Sequence, residues 1–428
     1  MGFVVSSRRL CALLLIFFCA WPRPLFAYSV LAHEGVIDAA WKTDLRPLLL
    51  KRFPNATPDE LRQAHACAYG GAIIQDMGYY PYGNKLFSDL THYVRSGDFV
   101  QALLRDAGSP CDYAFALGAL AHYAADNEGH SLAVNLAVPV LYPKVRKKYG
   151  DVATYEDNPA AHLKTEFGFD VIEVAQGRFA PDAYREFIGF EVAQPLLDRA
   201  FRETYGIELA SLLVNESRAI GSYRHVISST IPKATRVAWA LRKDEIQRDT
   251  PSMTRRRFLY NLSRASYENN WGKDYRGPTV GDKVLAFLFR LIPKIGPLKA
   301  LAFHAPTPQT EQMFERSFNA TLAHYRQFLS DYDQGKLSLV NDNFDVGAVT
   351  APGQYQLADN AYAGLLDRLA RQNFAGITDQ LRADLLQFYR DPNAPYATRK
   401  DRKSWQRLQS NLERLRATPP ARTAAAAR

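Results

Sequence analysis

The chain is poor in cysteine, methionine and alternating strand-like runs, and each shortage excludes something. It has 4 cysteines and 4 methionines in 428 residues. Cys11 and Cys19 fall within the first 27 residues, so Cys67 and Cys111 are the two left beyond them. Two cysteines cannot frame a fold, and nothing around either suggests the lowered thiol pKa of a nucleophile. Whether they pair stays open at this level. The apolar run Leu10 to Trp21 is 12 residues long, short of the roughly 18 that a spanning helix needs. The scarcity of period-two alternation, set against many helix signals, predicts an all-α protein.

The N-terminus reads as a secretory leader. Arg8 and Arg9 precede the apolar run, and a short segment follows to the small residue Ala27. Cleavage after Ala27 makes Tyr28 the first mature residue, removes three arginines and takes the net charge from +9 to +6. The expected location is therefore secreted or periplasmic. The remaining positive charge favours acidic partners without choosing lipid over nucleic acid.

Helix starts are marked along the chain. Thr57, Pro58 and Glu60 form a capping box with proline at the first turn, predicting a helix to about Tyr69, before Gly70-Gly71. Asp112 opens a pattern through about Leu136, and Asn158-Pro159 one through about Ala175. Others cover roughly 181–204, 207–244, 309–331, 355–372 and 376–390. Basic density rises near 240, where a boundary is placed between residues 28–240 and a helical region over 241–416. The alanine-rich stretch 417–428 has little to bury and is expected to be disordered.

Six of the nine histidines, His33, His65, His92, His122, His130 and His162, are crowded toward the start of the mature chain. His122, Asp126 and His130 are spaced i, i+4, i+8, which puts them near one helical face. Over eight residues a helix rises about 12 Å, too far for His122 and His130 to share an ion. Asp126 lies between them, and its two oxygens can bridge two ions. His162 and Glu166 form a second i, i+4 pair, able to hold an ion from one face. With His33, Asp76 and His92 upstream, the set predicts several metal ions held by imidazole and carboxylate. The absence of thiolate favours zinc, with manganese or iron also compatible. Asp89 and Glu128 can orient these histidines or be ordinary solvated carboxylates. His65, His225, His304 and His324 read as structural.

This order of residues behind a leader resembles the zinc-dependent phospholipase C family and its relatives, the single-strand-specific zinc nucleases. The resemblance is strongest over about Tyr28 to Ala175. It implies a multi-helix zinc domain over 28–240 with a C-terminal helical extension, holding three zinc ions. One would take the amine and carbonyl of Tyr28, with His33 and Asp126. A second would take Asp76, His92, His122 and the other Asp126 oxygen, and the third His130, His162 and Glu166. The Asp126 to His130 spacing is shorter than in the phospholipase C and nuclease prototypes. It is similar instead to the glycosylphosphatidylinositol-specific phospholipase D branch, so C-type and D-type cleavage both stay open.

The implied activity is hydrolysis of phosphodiesters, most of all phospholipids, with zinc-bound water as nucleophile. Asp76 is the residue expected to orient or deprotonate that water. The alternatives are a single-strand-specific zinc nuclease and a non-enzymatic metal-binding module. Tyr79, Tyr80, Tyr82 and Phe87 lie between two ligands and suit a cationic head group, a stacked base or core packing. The apolar segment 284–303, interrupted by Arg290, Pro293, Lys294, Pro297 and Lys299, suits either peripheral membrane contact or a buried helix-turn-helix.

Overall fold

The computed structural model describes residues 30–176, 191–225, 244, 247–248 and 303–419. Tyr28, the leader, the boundary near 240, segment 284–302 and the tail from 420 lie outside the described residues.

The described chain is all-α. Its helices are α1 (Val30–Ala40), α2 (Arg46–Arg52), α3 (Pro58–Ile73), α4 (Lys85–Tyr93), α5 (Ser96–Asp106), α6 (Pro110–Gly129), α7 (Asn135–Leu141) and α8 (Pro143–Tyr149). They continue with α9 (Pro159–Gln176), α10 (Gln194–Tyr205), α11 (Glu216–His225), α12 (Pro308–Asp333), α13 (Gln356–Arg371), α14 (Asp379–Phe388) and α15 (Arg402–Ala417). No strand occurs among the described residues, which hold one isolated antiparallel bridge, Asn343 to Ala348.

The predicted capping box opens α3: Thr57 accepts from the Glu60 amide while Glu60 accepts from the Thr57 amide. The helix then runs on to Ile73 instead of stopping before Gly70-Gly71. Those glycines let backbones touch. A Cβ on Gly71 would meet the Phe115 carbonyl oxygen at 1.9 Å, and one on Gly118 the Ala68 carbonyl oxygen at 2.1 Å. The parallel partners α3 and α6 thus pack at a separation only glycine permits. Gly118→Ala is expected to cost about 3 kcal/mol, because a rigid carbonyl cannot yield as a flexible side chain can. Urea unfolding checks this, and an unchanged midpoint would show that the helices do not meet there. Cys67 in α3 is bonded to Cys111 in the first turn of α6, which answers the pairing question.

The N-terminus of α6 is set by Ser109, whose hydroxyl accepts from Asp112 N–H in a second capping box one turn ahead of the sequence reading. Past Gly129 the helix widens into a π-turn over His130–Val134 and continues as α7, with Pro139 inside it. Such π-turns are common where a helix serves a site.

The C-terminal helices pack on this pair. Tyr325 of α12 donates to the Leu117 carbonyl at 2.9 Å, and Lys51 pairs with Asp333 at 2.6 Å. Apolar side chains from both halves of the chain form one continuous buried cluster, from Val36 and Leu120 to Leu366 and Leu415. The loop 341–350, between α12 and α13, reaches the histidines described next.

Candidate metal centre

The separation expected from helical rise holds in three dimensions. His122 and Asp126 lie on the inner face of α6, His130 opens the π-turn, and His162 and Glu166 share one face of α9. His33 comes from α1, Asp76 from a 3₁₀ turn after α3, and His92 from the last turn of α4. All eight are buried, none more than 2% exposed.

They form three groups whose nitrogen and oxygen atoms lie within 4.8 Å of one another: His33, His122 and Asp126; Asp76, His92 and His122; and His130, His162 and Glu166. Asp126 joins the first two. Its Oδ1 is 3.3 Å from His33 Nε2, and its Oδ2 is 3.0 Å from His122 Nε2 and 3.3 Å from His92 Nε2. Asp76 Oδ1 is 3.3 Å from His92 Nε2. In the third group Glu166 Oε1 is 2.9 Å from His162 Nε2 and 3.3 Å from His130 Nε2.

The hydrogen bonds around these rings fix which way they face. His92 Nδ1 meets the Ser88 carbonyl at 2.8 Å and His122 Nδ1 the Ala72 carbonyl at 2.9 Å. A carbonyl only accepts, so each Nδ1 carries a hydrogen and each neutral ring turns its Nε2 lone pair inward. Those two Nε2 atoms are 3.4 Å apart. Both oxygens of Asp126, both of Glu166 and Oδ1 of Asp76 are buried without a hydrogen-bond partner. Inward lone pairs and undonated carboxylates in one dry space repel each other unless a cation lies among them. The nitrogen and oxygen donor set, with no thiolate, fits zinc.

Without metal, protons must take that role. Burial depresses the His92 imidazole, but the adjacent Asp126 and Asp76 carboxylates outweigh it and push the pKa up to about 10. Burial raises Glu166 to about 8 against the pull of His130, and lowers His162 to about 4. At pH 7 His92 and Glu166 therefore carry protons that a metal must displace. Zinc loading is expected to release protons at pH 7, and binding should weaken on acidification. Calorimetric titration in buffers of different ionisation enthalpy measures the release; no release would exclude these two residues as ligands.

The neighbouring groups take the plainer of the roles that the sequence left open. Glu128 pairs with His324 at 2.5 Å, and Asp89 pairs with Lys85, so neither holds a ligand histidine. His65 stacks between Trp41 and Tyr69, at 3.7 and 4.7 Å, and burial holds its pKa down to about 3. Tyr80 and Phe87 are core residues, packed on Tyr223 and Phe201, and Tyr82 is exposed.

Tyr79 lines the site beside His92, and its ring neighbours Tyr155, which abuts His162. Their rings bridge the second and third groups, and no described residue accepts from either hydroxyl. Sequence reading missed Tyr155, along with Phe344 and Asp345. The loop run Asn341-Asp342-Asn343-Phe344-Asp345 carries no spacing that ties it to histidines about 200 residues earlier.

Comparison with curated proteins and with solved structures gives no match. Residues 33–213 match the family model described as zinc dependent phospholipase C, a span that contains all eight of these side chains. That span is thus similar to the zinc dependent phospholipase C family, and it holds the helices and the histidine-carboxylate groups laid out above.

Proposed function

We propose that this protein is an exported zinc phosphodiesterase that cleaves phospholipids in the phospholipase C manner, releasing a phosphorylated head group. The observation that carries the reading is the set of three buried histidine-carboxylate groups, two of them joined through Asp126, inside the matched family span. The leader-like start and a disulfide that persists in oxidising compartments support export.

His33 and Asp126, with the terminal amine and carbonyl of Tyr28, would hold one ion. Asp76, His92, His122 and Asp126 would hold a second, and His130, His162 and Glu166 a third. Bound zinc polarises phosphoryl oxygens, acidifies water toward a pKa of about 7 and stabilises a leaving alkoxide. Asp76 is the carboxylate assigned to orient the attacking water and accept its proton, since its Oδ1 has no hydrogen-bond donor. The Tyr79 and Tyr155 hydroxyls, beside the second and third groups, would donate to phosphoryl oxygens. The burial of Tyr80 and Phe87 takes from the nuclease alternative two of the rings it needs for base stacking.

Phosphorus NMR of zinc-loaded protein with mixed phospholipid vesicles and single-stranded DNA tests the reading. A soluble phosphomonoester such as phosphocholine is expected. Phosphatidic acid would move the cleaved bond to the D-type position, nucleotides would replace the substrate class, and silence from zinc-loaded protein would end the hydrolase reading.

A further inference from the structure

We infer that the C-terminal segment completes the metal centre, with Asp345 as a positioning residue that acts through His130. The segment lies well outside the matched span of 33–213, and the inference rests on the metal reading above.

His130 Nδ1 faces away from its own group toward loop 341–350. It meets the Phe344 carbonyl at 3.1 Å and Asp345 Oδ1 at 3.5 Å. Both are acceptors, so Nδ1 carries the hydrogen and Nε2 is left to face Glu166 and His162. A carboxylate behind a ligand imidazole also raises the ring's basicity and fixes its plane.

Asp345 is itself held from several sides. Its Oδ2 accepts from the hydroxyls of Tyr93, at 2.8 Å, and Tyr355. Its amide donates to Asn343 Oδ1 at 3.0 Å, and its carbonyl accepts from Asn135 Nδ2 at 2.6 Å. The residue is 3% exposed. A carboxylate taken so far out of water is costly unless its partners offset the loss. Here they come from α4, α7, the residue that opens α13 and the loop, and they aim one oxygen at His130.

The same loop touches the second group. The Phe344 ring lies edge-on to His92 at 5.3 Å and 6.0 Å from His122, while its amide donates to the His92 carbonyl at 3.2 Å. The loop is clamped onto the helices that carry the ligands. Tyr123, one residue after His122, donates to the Val340 carbonyl at 3.0 Å and to Asp342 at 2.9 Å, and Ser96 donates to the Asp342 carbonyl at 2.7 Å. Gly347 has φ +68°, and a Cβ there would strike the Asn127 carbonyl at 2.6 Å, so the loop lies directly on the turn that leads into His130. Through this contact network a region without a chemical motif of its own keeps His130 in its ligand tautomer and orientation.

The test uses the chain beginning at Tyr28 and its Asp345→Asn variant, which keeps an oxygen for the tyrosines and removes the charge behind His130. Zinc affinity is read by chelator competition, and ligand geometry by the visible spectrum of the cobalt-substituted protein. The unsubstituted chain should bind three ions. In Asp345→Asn two should stay tight while the third weakens by about 10- to 100-fold, with a changed cobalt spectrum. Should Asp345→Asn fail to fold, Tyr355→Phe, which removes one donor to the carboxylate, is expected to give a smaller shift in the same direction. Unchanged third-site affinity and spectrum in a folded variant would overturn the inference. Failure of the unsubstituted chain to bind metal would overturn the metal reading itself, and the inference with it.

Discussion

Asp126→Asn is expected to lower zinc content from three ions to one per chain and to cut phosphodiester turnover by about a thousandfold or more, about 4 kcal/mol of barrier. Among the described residues no other carboxylate serves two groups at once. One oxygen faces His33 and the other faces both His122 and His92, so the two groups share its charge. Asparagine offers one oxygen and replaces the other with an N–H donor, which points its hydrogens at the place a cation would occupy. The third group, His130, His162 and Glu166, does not use this carboxylate and should keep its ion. Elemental analysis and turnover on the same preparation check both halves. Retention of three ions would show that Asp126 does not join the first two groups.

The largest expected effect on stability comes from the Cys67 to Cys111 bond. The bond spans 44 residues of sequence, and closing a loop of that size in the unfolded chain corresponds to about 4 kcal/mol. For a chain of this length that is about 5 °C in melting temperature. The consequence reaches the site because the bond ties α3 to the first turn of α6. The α3 carbonyl of Ala72 orients His122 on α6, so looser pairing of these helices should also weaken metal retention. Calorimetry of the double Cys67→Ser, Cys111→Ser variant, beside the unsubstituted protein with and without reductant, measures the loss. Equal melting temperatures in all three samples would refute it.

Much of the arrangement was legible in the sequence because it is local. Capping residues such as Thr57 act within one turn, and i, i+4 spacing fixes which side chains share a helical face, so His122, Asp126, His162 and Glu166 could be read directly. The rise of a helix alone separated His122 from His130. What escaped notice is long-range or sterically conditional. Gly70 and Gly71 looked like a helix stop because glycine is a weak helix former; in the fold they are where another backbone passes. The π-turn at His130 carries no sequence mark, and it lets α6 continue into α7 beyond the predicted end. Asp345, Phe344 and Tyr155 join the site through packing between distant segments, which no period or motif encodes.

Anomalous X-ray scattering at the zinc edge, from crystals of the zinc-loaded protein, tests the central claim most directly. Three peaks are predicted: two flanking Asp126, beside His33 and beside His92, and one among His130, His162 and Glu166. Peaks elsewhere, or none in a protein confirmed to be loaded, would contradict the account.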